Sequence, residues 1–196
     1  MPPNATPLDA ARAIAARYPS LLDAFDQTAV AEYAPGTARP DSAAIERLEA
    51  FVVSTAHVRF ADGKRHDGVT LLLDGLTMAR RLGDDAAQAL VVEAIRRDKD
   101  AIPLAECERV RKAADGWLAG KLSVVSMREL ALVRLRMRIE AYRWRYGKPP
   151  EKLLDAAPEP ESIDPDTKRS FRYEHRGGDY RLDEGAPGSL ASDGSP

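Results

Sequence analysis

The chain has 196 residues, of which 44% are hydrophobic and 31% are charged, so it has enough apolar side chains for a packed core and is not disordered throughout. Its formal net charge of -2 at pH 7 excludes a global electrostatic attraction to nucleic acid or to anionic membranes. The single cysteine, Cys107, excludes an intramolecular disulfide and a cysteine-based zinc cluster.

The first half of the chain has the periodicity of several short helices. A helix is predicted over 8–17 and ends at Tyr18, because the residue before Pro19 avoids the helical region. A weaker helix is expected over 20–33, and a firmer one begins at Asp41 or Ser42 and runs to about residue 58. The composition of 61–68 predicts a loop.

Four further helices are predicted after that loop. Residues 69–82 are strongly apolar, and Gly83 is placed to end their helix; Asp84 and Asp85 then precede a helix over 86–97. Pro103 suits the first turn of a helix over 104–118. The last and longest helix is expected over 122–146.

The long helix and the segment after it carry different periods. In the helix, one face is expected to be buried, with arginines over the remainder. The buried face would consist of Leu132, Leu135, Ile139, Tyr142 and Tyr146. Farther on, apolar residues alternate on either side of Gly177 and Gly178, which predicts a β-hairpin.

These elements predict a mainly α fold, in which a helical bundle with a long C-terminal helix is followed by a small antiparallel β-hairpin, an α+β arrangement. The predicted division is a helical domain over 1–120, a long helix plus hairpin over 121–183, and a flexible tail over 184–196.

No residue pattern predicts a catalytic, cofactor-binding or metal-binding site. Cys107 is interpreted as a packing residue. His66 lies near Asp62 and Asp67, but one imidazole and two acids in a glycine-rich loop favour solvated side chains over a metal site. The pair Asp84 and Asp85 is explained by the charge preference of a helix start. We therefore expect a protein that is not an enzyme and has no cofactor, with a carboxylate-dependent hydrolase as an alternative.

The arginine-rich helix is the remaining candidate for function. Residues 128–148 contain seven basic and two acidic residues, whereas 149–196 contain eleven acidic and six basic ones. Arg134, Arg138, Trp144 and Arg145 form a candidate interaction surface, which could bind nucleic acid or acidic glycans. The interpretation favoured by the charge distribution is that acidic residues elsewhere in the same chain pair with the arginines.

The last third of the chain resembles the C-terminal part of type II secretion pseudopilins. It is more similar still to uncharacterised envelope proteins of planctomycetes and acidobacteria that carry this module behind a helical region. The resemblance rests on Tyr142-x-x-x-Tyr146-Gly147-Lys148-x-Pro150, Leu153-Leu154, Asp164-Pro165-x-Thr167, Phe171-x-Tyr173 and Gly178-x-Tyr180-x-Leu182. Upstream, segments 4–8 and 71–80 resemble other parts of those envelope proteins.

The resemblance implies a non-enzymatic interaction or scaffold protein, associated with the envelope or with secretion, whose partner is a protein. It implies an extracytoplasmic location, and membrane association if an N-terminal anchor precedes this chain; with Met1 as the true start the protein would be cytoplasmic. A nucleic-acid-binding module using helix 128–148 stays as an alternative. The calcium loop of the major pseudopilin is only echoed by Ser189-Leu-Ala-Ser-Asp193-Gly194. A calcium site would have to use Asp183, Glu184 or Asp193, and it is not favoured.

Overall fold

A computed structural model describes residues 6–30, 41–119 and 124–183, apart from the side chains at 23, 26–30, 124–126 and 183. Within these residues there are eight α-helices and one two-stranded antiparallel sheet. The helices are α1 (Pro7–Arg17), α2 (Pro19–Val30), α3 (Ser42–Ala61), α4 (Arg65–Leu82), α5 (Asp85–Arg97), α6 (Leu104–Ala119), α7 (Val124–Tyr146) and α8 (Leu153–Ala156), and the strands are β1 (Arg172–Arg176) and β2 (Asp179–Asp183). The predicted fold class is confirmed.

Residues close in sequence determine where the first two helices begin. Thr6 accepts a hydrogen bond from the Asp9 backbone N–H, and the Asp9 carboxylate accepts one from the Thr6 backbone N–H, which completes a capping box at the start of α1. Tyr18 separates the two helices, and Pro19 begins α2. Proline suits this position because a backbone N–H in the first helical turn has no acceptor within the helix, so its absence costs no hydrogen bond. The predicted break at Tyr18 and Pro19 is therefore confirmed.

The turn between α3 and α4 is shorter than the predicted loop over 61–68. Gly63, with φ of 77°, makes the turn, and α4 already begins at Arg65. Gly68 lies inside α4, where a Cβ atom would stand 3.0 Å from the Phe60 ring. Gly68 therefore permits close packing of α3 and α4. The prediction that Gly68 belongs to a loop was wrong.

The turn between α4 and α5 was predicted correctly. Gly83 ends α4 in the left-handed conformation with φ of 63°. Asp84 then accepts a hydrogen bond from the Ala87 backbone N–H at 2.9 Å and another from the Ser42 hydroxyl at 2.6 Å, so the same carboxylate caps α5 and holds the start of α3.

Helix α7 is buried on two sides, which corrects the prediction of one buried face. Leu130, Val133 and Met137 pack into the large apolar cluster of the helical bundle. Leu132, Leu135 and Ile139 pack into a second cluster with residues of the C-terminal segment. Since both clusters use α7, the helix is the shared wall between the bundle and the segment after residue 147. Tyr146, assigned to the buried face, is exposed instead.

The C-terminal segment folds back onto α7. Leu153, Ala157, Phe171 and Tyr180 supply its buried apolar side chains. The strands form the predicted hairpin, in a register that places His175 opposite Tyr180, and Gly177 has the positive φ of 61° that a tight turn needs. The predicted tail 184–196, with Glu184 and Asp193, lies outside the described residues, as does the side chain of Asp183.

Candidate functional site

The arginines of α7 pair with acids of the same chain. Arg138 donates two hydrogen bonds to the carboxylate of Glu161, at 3.0 Å from Nε and 2.7 Å from Nη2. These two hydrogen bonds favour the charged form of both side chains. They lower the pKa of Glu161 and raise the pKa of Arg138. Glu161 lies in a short 3₁₀ turn of the C-terminal segment, Glu159–Ser162.

The other two arginines of the candidate surface also have carboxylate partners. Arg134 lies 3.6 Å from Asp115 and 3.9 Å from Glu161, and its side chain is mostly buried. Arg145 donates to Glu108 at 2.9 Å, although half of its side chain is exposed. The partners come from α6 and from the C-terminal segment, in agreement with the charge distribution of the sequence.

A further ion pair joins the N-terminal part of α7 to the turn at Asp164. Arg128 Nε lies 3.0 Å from Asp164 Oδ2. The other carboxylate oxygen accepts hydrogen bonds from the backbone N–H groups of Asp166 and Thr167, at 2.8 and 3.4 Å. Burial acts to raise the pKa of Asp164, but these donors and Arg128 outweigh it, so the pKa is lowered.

Trp144 is more exposed than Arg134 and Arg138. Its indole N–H donates to the Ile102 carbonyl at 2.8 Å, yet 47% of the residue remains accessible. Tyr146 is 64% exposed and Leu154 is 62% exposed. Trp144 and Tyr146 end α7 just before the turn at Gly147, whose φ is 73°, and Leu154 follows in α8; together we call the three residues the apolar tip. Of the three, the sequence analysis placed only Trp144 in the candidate interaction surface.

A buried polar cluster on α7 was missed by the sequence analysis. Glu140 is almost fully buried, accepts a hydrogen bond from the Tyr180 hydroxyl at 2.8 Å, and lies 3.4 Å from Lys99 Nζ. The Lys99 ammonium also stands 4.9 Å from the Tyr180 ring centroid. No local pattern marks this cluster, since its members come from three separate segments that meet only in the folded chain.

Glu140 also lines a small cleft of about 290 Å³, together with Asp100, Arg143 and Trp144. Two carboxylates therefore meet at one cleft, as a hydrolase would need. Both carboxylates are already engaged by the same cation, because Arg143 Nη1 lies 2.5 Å from Asp100 and 3.6 Å from Glu140. This arrangement is that of a structural ion-pair network.

Two of the three histidines, His57 and His66, lie on helices, and His175 lies on β1. His66 lies in the first turn of α4, and its Nδ1 is 2.9 Å from the Glu106 carboxylate. Arg109 fixes that carboxylate at 2.8 Å and also donates to the Thr70 hydroxyl at 2.6 Å. His57 contacts Asp98 at 3.0 Å. No three His, Cys, Asp or Glu residues of the described ranges are grouped to hold a metal ion.

Two buried ionisable groups lie in the bundle core. The Cys107 thiol donates a hydrogen bond to the Ile102 carbonyl, and burial raises the pKa of the thiol to about 12. The thiol is therefore protonated at neutral pH, which agrees with the interpretation of Cys107 as a packing residue. Glu49 of α3 is fully buried, and neither of its carboxylate oxygens has a hydrogen-bond partner among the described residues. Gly75 of α4 makes room for it, since a Cβ atom there would stand 2.7 Å from Oε2.

Comparisons with known proteins do not extend these observations. No protein-family model matches the chain, and no curated protein or solved structure is significantly similar to it. Among the described helices, none is long and apolar enough to cross a bilayer.

Proposed function

We propose that this protein is a non-enzymatic interaction or scaffold protein that binds a partner protein through the apolar tip. The observation that carries the proposal is the exposure of Trp144 and Tyr146 at the end of α7 and of Leu154 in α8. Tryptophan and tyrosine are the side chains that most often dominate the binding energy of protein interfaces. Pro149 and Pro150 are buried directly after the turn and hold the chain in place.

The charges near the apolar tip support a protein partner rather than nucleic acid. Arg134, Arg138 and Arg143 are each paired with a carboxylate of the chain itself. Binding a phosphate backbone would require these pairs to break, which offsets the gain from counterion release. The association with the envelope or with secretion is supported by the resemblance of the last third of the chain to pseudopilins.

Site-specific crosslinking in the native cell tests the interaction. A photoreactive phenylalanine analogue at Leu154 is expected to give one discrete protein adduct, because that position lies in the apolar tip. The adduct should be lost when Tyr146→Ser is added to the same chain. The matched control places the analogue at Leu90, an exposed apolar residue of α5, and should give no adduct. Equal adducts from Leu90 and Leu154, or none from Leu154, would overturn the proposal.

The nucleic-acid alternative predicts a different result. A DNA- or RNA-binding module would show affinity that falls steeply with salt and is weakened by Arg138→Ala or Arg145→Ala. Filter binding between low and physiological salt measures this directly. Salt-dependent binding sensitive to both substitutions would replace the interaction proposal with the nucleic-acid one.

Recovery of the protein in the cytosolic fraction of its own cell would contradict the envelope association.

A further inference from the structure

A large cleft separates the first two helices from α3 and α4. Its volume is about 750 Å³, within the range of roughly 300–1,000 Å³ that is usual for small-molecule sites. Leu22, Val58 and Leu71 provide apolar lining. None of the three belongs to the apolar tip, so this cleft is independent of the surface in the proposed function.

Small side chains on α1 leave this space open. Ala15 and Ala16 line the cleft from α1, and Pro19 lines it where α2 begins. No residue of α1 is buried. An ion pair connects α1 to the end of α3, because Arg12 Nη2 lies 2.6 Å from Asp62 Oδ1. The space is thus bounded by a helix that touches the bundle without packing into it.

Two charged residues of opposite sign line the cleft without partners. Arg59 and Asp67 have no hydrogen-bond or ion-pair partner in the part of the chain that the structure describes. The remaining charged groups of the lining are already engaged, because Arg12 pairs with Asp62 and His66 contacts Glu106. The cleft therefore presents one free guanidinium and one free carboxylate above an apolar floor.

We propose that the cleft binds a small zwitterion with an apolar side chain, namely a hydrophobic amino acid or a short hydrophobic peptide. Arg59 would receive the ligand carboxylate in a bidentate pair, and Asp67 would receive its ammonium group. The apolar side chain would lie against Leu22, Val58 and Leu71. A ligand with a single charge would satisfy only one of the two free groups, so an acid or an amine alone fits less well.

Isothermal titration calorimetry with L-leucyl-L-leucine tests the site. The dipeptide is expected to bind the full chain, whereas its N-acetylated and its C-amidated forms should each bind at least about tenfold more weakly, as the loss of one charge-assisted contact implies. Arg59→Gln and Asp67→Asn should each weaken the unmodified dipeptide by a similar factor. Arg47→Gln, an exposed arginine of α3 outside the cleft, is the matched control and should leave binding unchanged.

A variant that fills the cleft keeps the test independent of the charges. Ala15→Phe places a ring in the space and should abolish dipeptide binding, with far-UV circular dichroism unchanged. Absence of binding at about 10 mM dipeptide to the unmodified chain would overturn the proposal, since even a weak Kd of about 1 mM would be detected there. Binding that survives both charge substitutions and the filled cleft would overturn it equally. Neither result bears on the crosslinks expected at the apolar tip.

Discussion

Glu49 places a carboxyl group in the apolar core between α3 and α4, where the charged form is unfavourable. Burial, and to a lesser extent the charge of Asp84 at the start of α5, raises the pKa of Glu49 to about 8 from its ordinary value of 4.5. Between these two pH values the unfolded chain is ionised at this position and the folded chain keeps the proton. The free energy of unfolding should therefore decrease as pH rises through this window and level off above it.

Glu49→Gln is expected to remove this pH dependence, because an amide does not titrate. The difference in unfolding free energy between the variant and the unmodified protein should change by about 1.4 kcal/mol per pH unit between pH 5 and pH 8, in favour of the variant at higher pH. Urea denaturation across this range measures it. Glu46→Gln, one turn earlier on the exposed side of α3, is the control; a constant difference for Glu49→Gln would mean that Glu49 is ionised in the fold.

At the scale of elements, ion pairs connect the C-terminal segment to α7. Arg128 and Arg138 lie on the helix, and their partners Asp164 and Glu161 lie in the segment that leads to the hairpin. These pairs are partly buried, so screening by solvent is smaller than at an open surface. Asp164 has the additional task of accepting two backbone hydrogen bonds in its turn.

Asp164→Ala is expected to destabilise the protein by about 2–3 kcal/mol, because it leaves Arg128 without its carboxylate and removes the acceptor of the turn. Asp164→Asn should cost less, since an amide oxygen can still accept the backbone hydrogen bonds. Guanidinium denaturation gives the free energies. Asp166→Ala, two residues away and exposed, is the control and should lie within about 0.5 kcal/mol of the unmodified protein. Equal effects at 164 and 166 would contradict the role given to Asp164.

At the scale of the whole molecule, α7 belongs to both apolar clusters. The bundle packs on one side of it, and Phe171 with Tyr180 packs on the other. The predicted division at residue 121 separates two parts that share this helix. Loss of the C-terminal cluster would expose Leu132, Leu135 and Ile139 to water, which disfavours independent folding of 1–120 or of 121–183.

Phe171→Ala is expected to lower the stability of the entire described fold by about 3–4 kcal/mol. Because α7 is shared, unfolding followed by far-UV circular dichroism and by tryptophan fluorescence should give a single coincident transition at a lower midpoint. Leu154→Ala, in the same segment but exposed, is the control and should have little effect. Two separate transitions would instead show that the C-terminal segment unfolds by itself.

Much of the local structure follows from residues close together in the chain. The break at Pro19, the end of α4 at Gly83 and the hairpin turn at Gly177 and Gly178 were predicted correctly, because these residues act through their own backbone geometry. Where the prediction failed, at Gly68, the glycine was needed for contact with Phe60 on another helix.

Contacts between side chains depend on the tertiary structure. It buries α7 on two sides, brings Lys99, Glu140 and Tyr180 together, and leaves Arg59 and Asp67 at one cleft without partners among the described residues. These contacts join residues that are far apart in the chain, and periodicity within one helix carries no information on which neighbour covers each face. Charge composition predicted that the arginines of α7 would find acids in the same chain, but their distances and burial depend on how the helices pack.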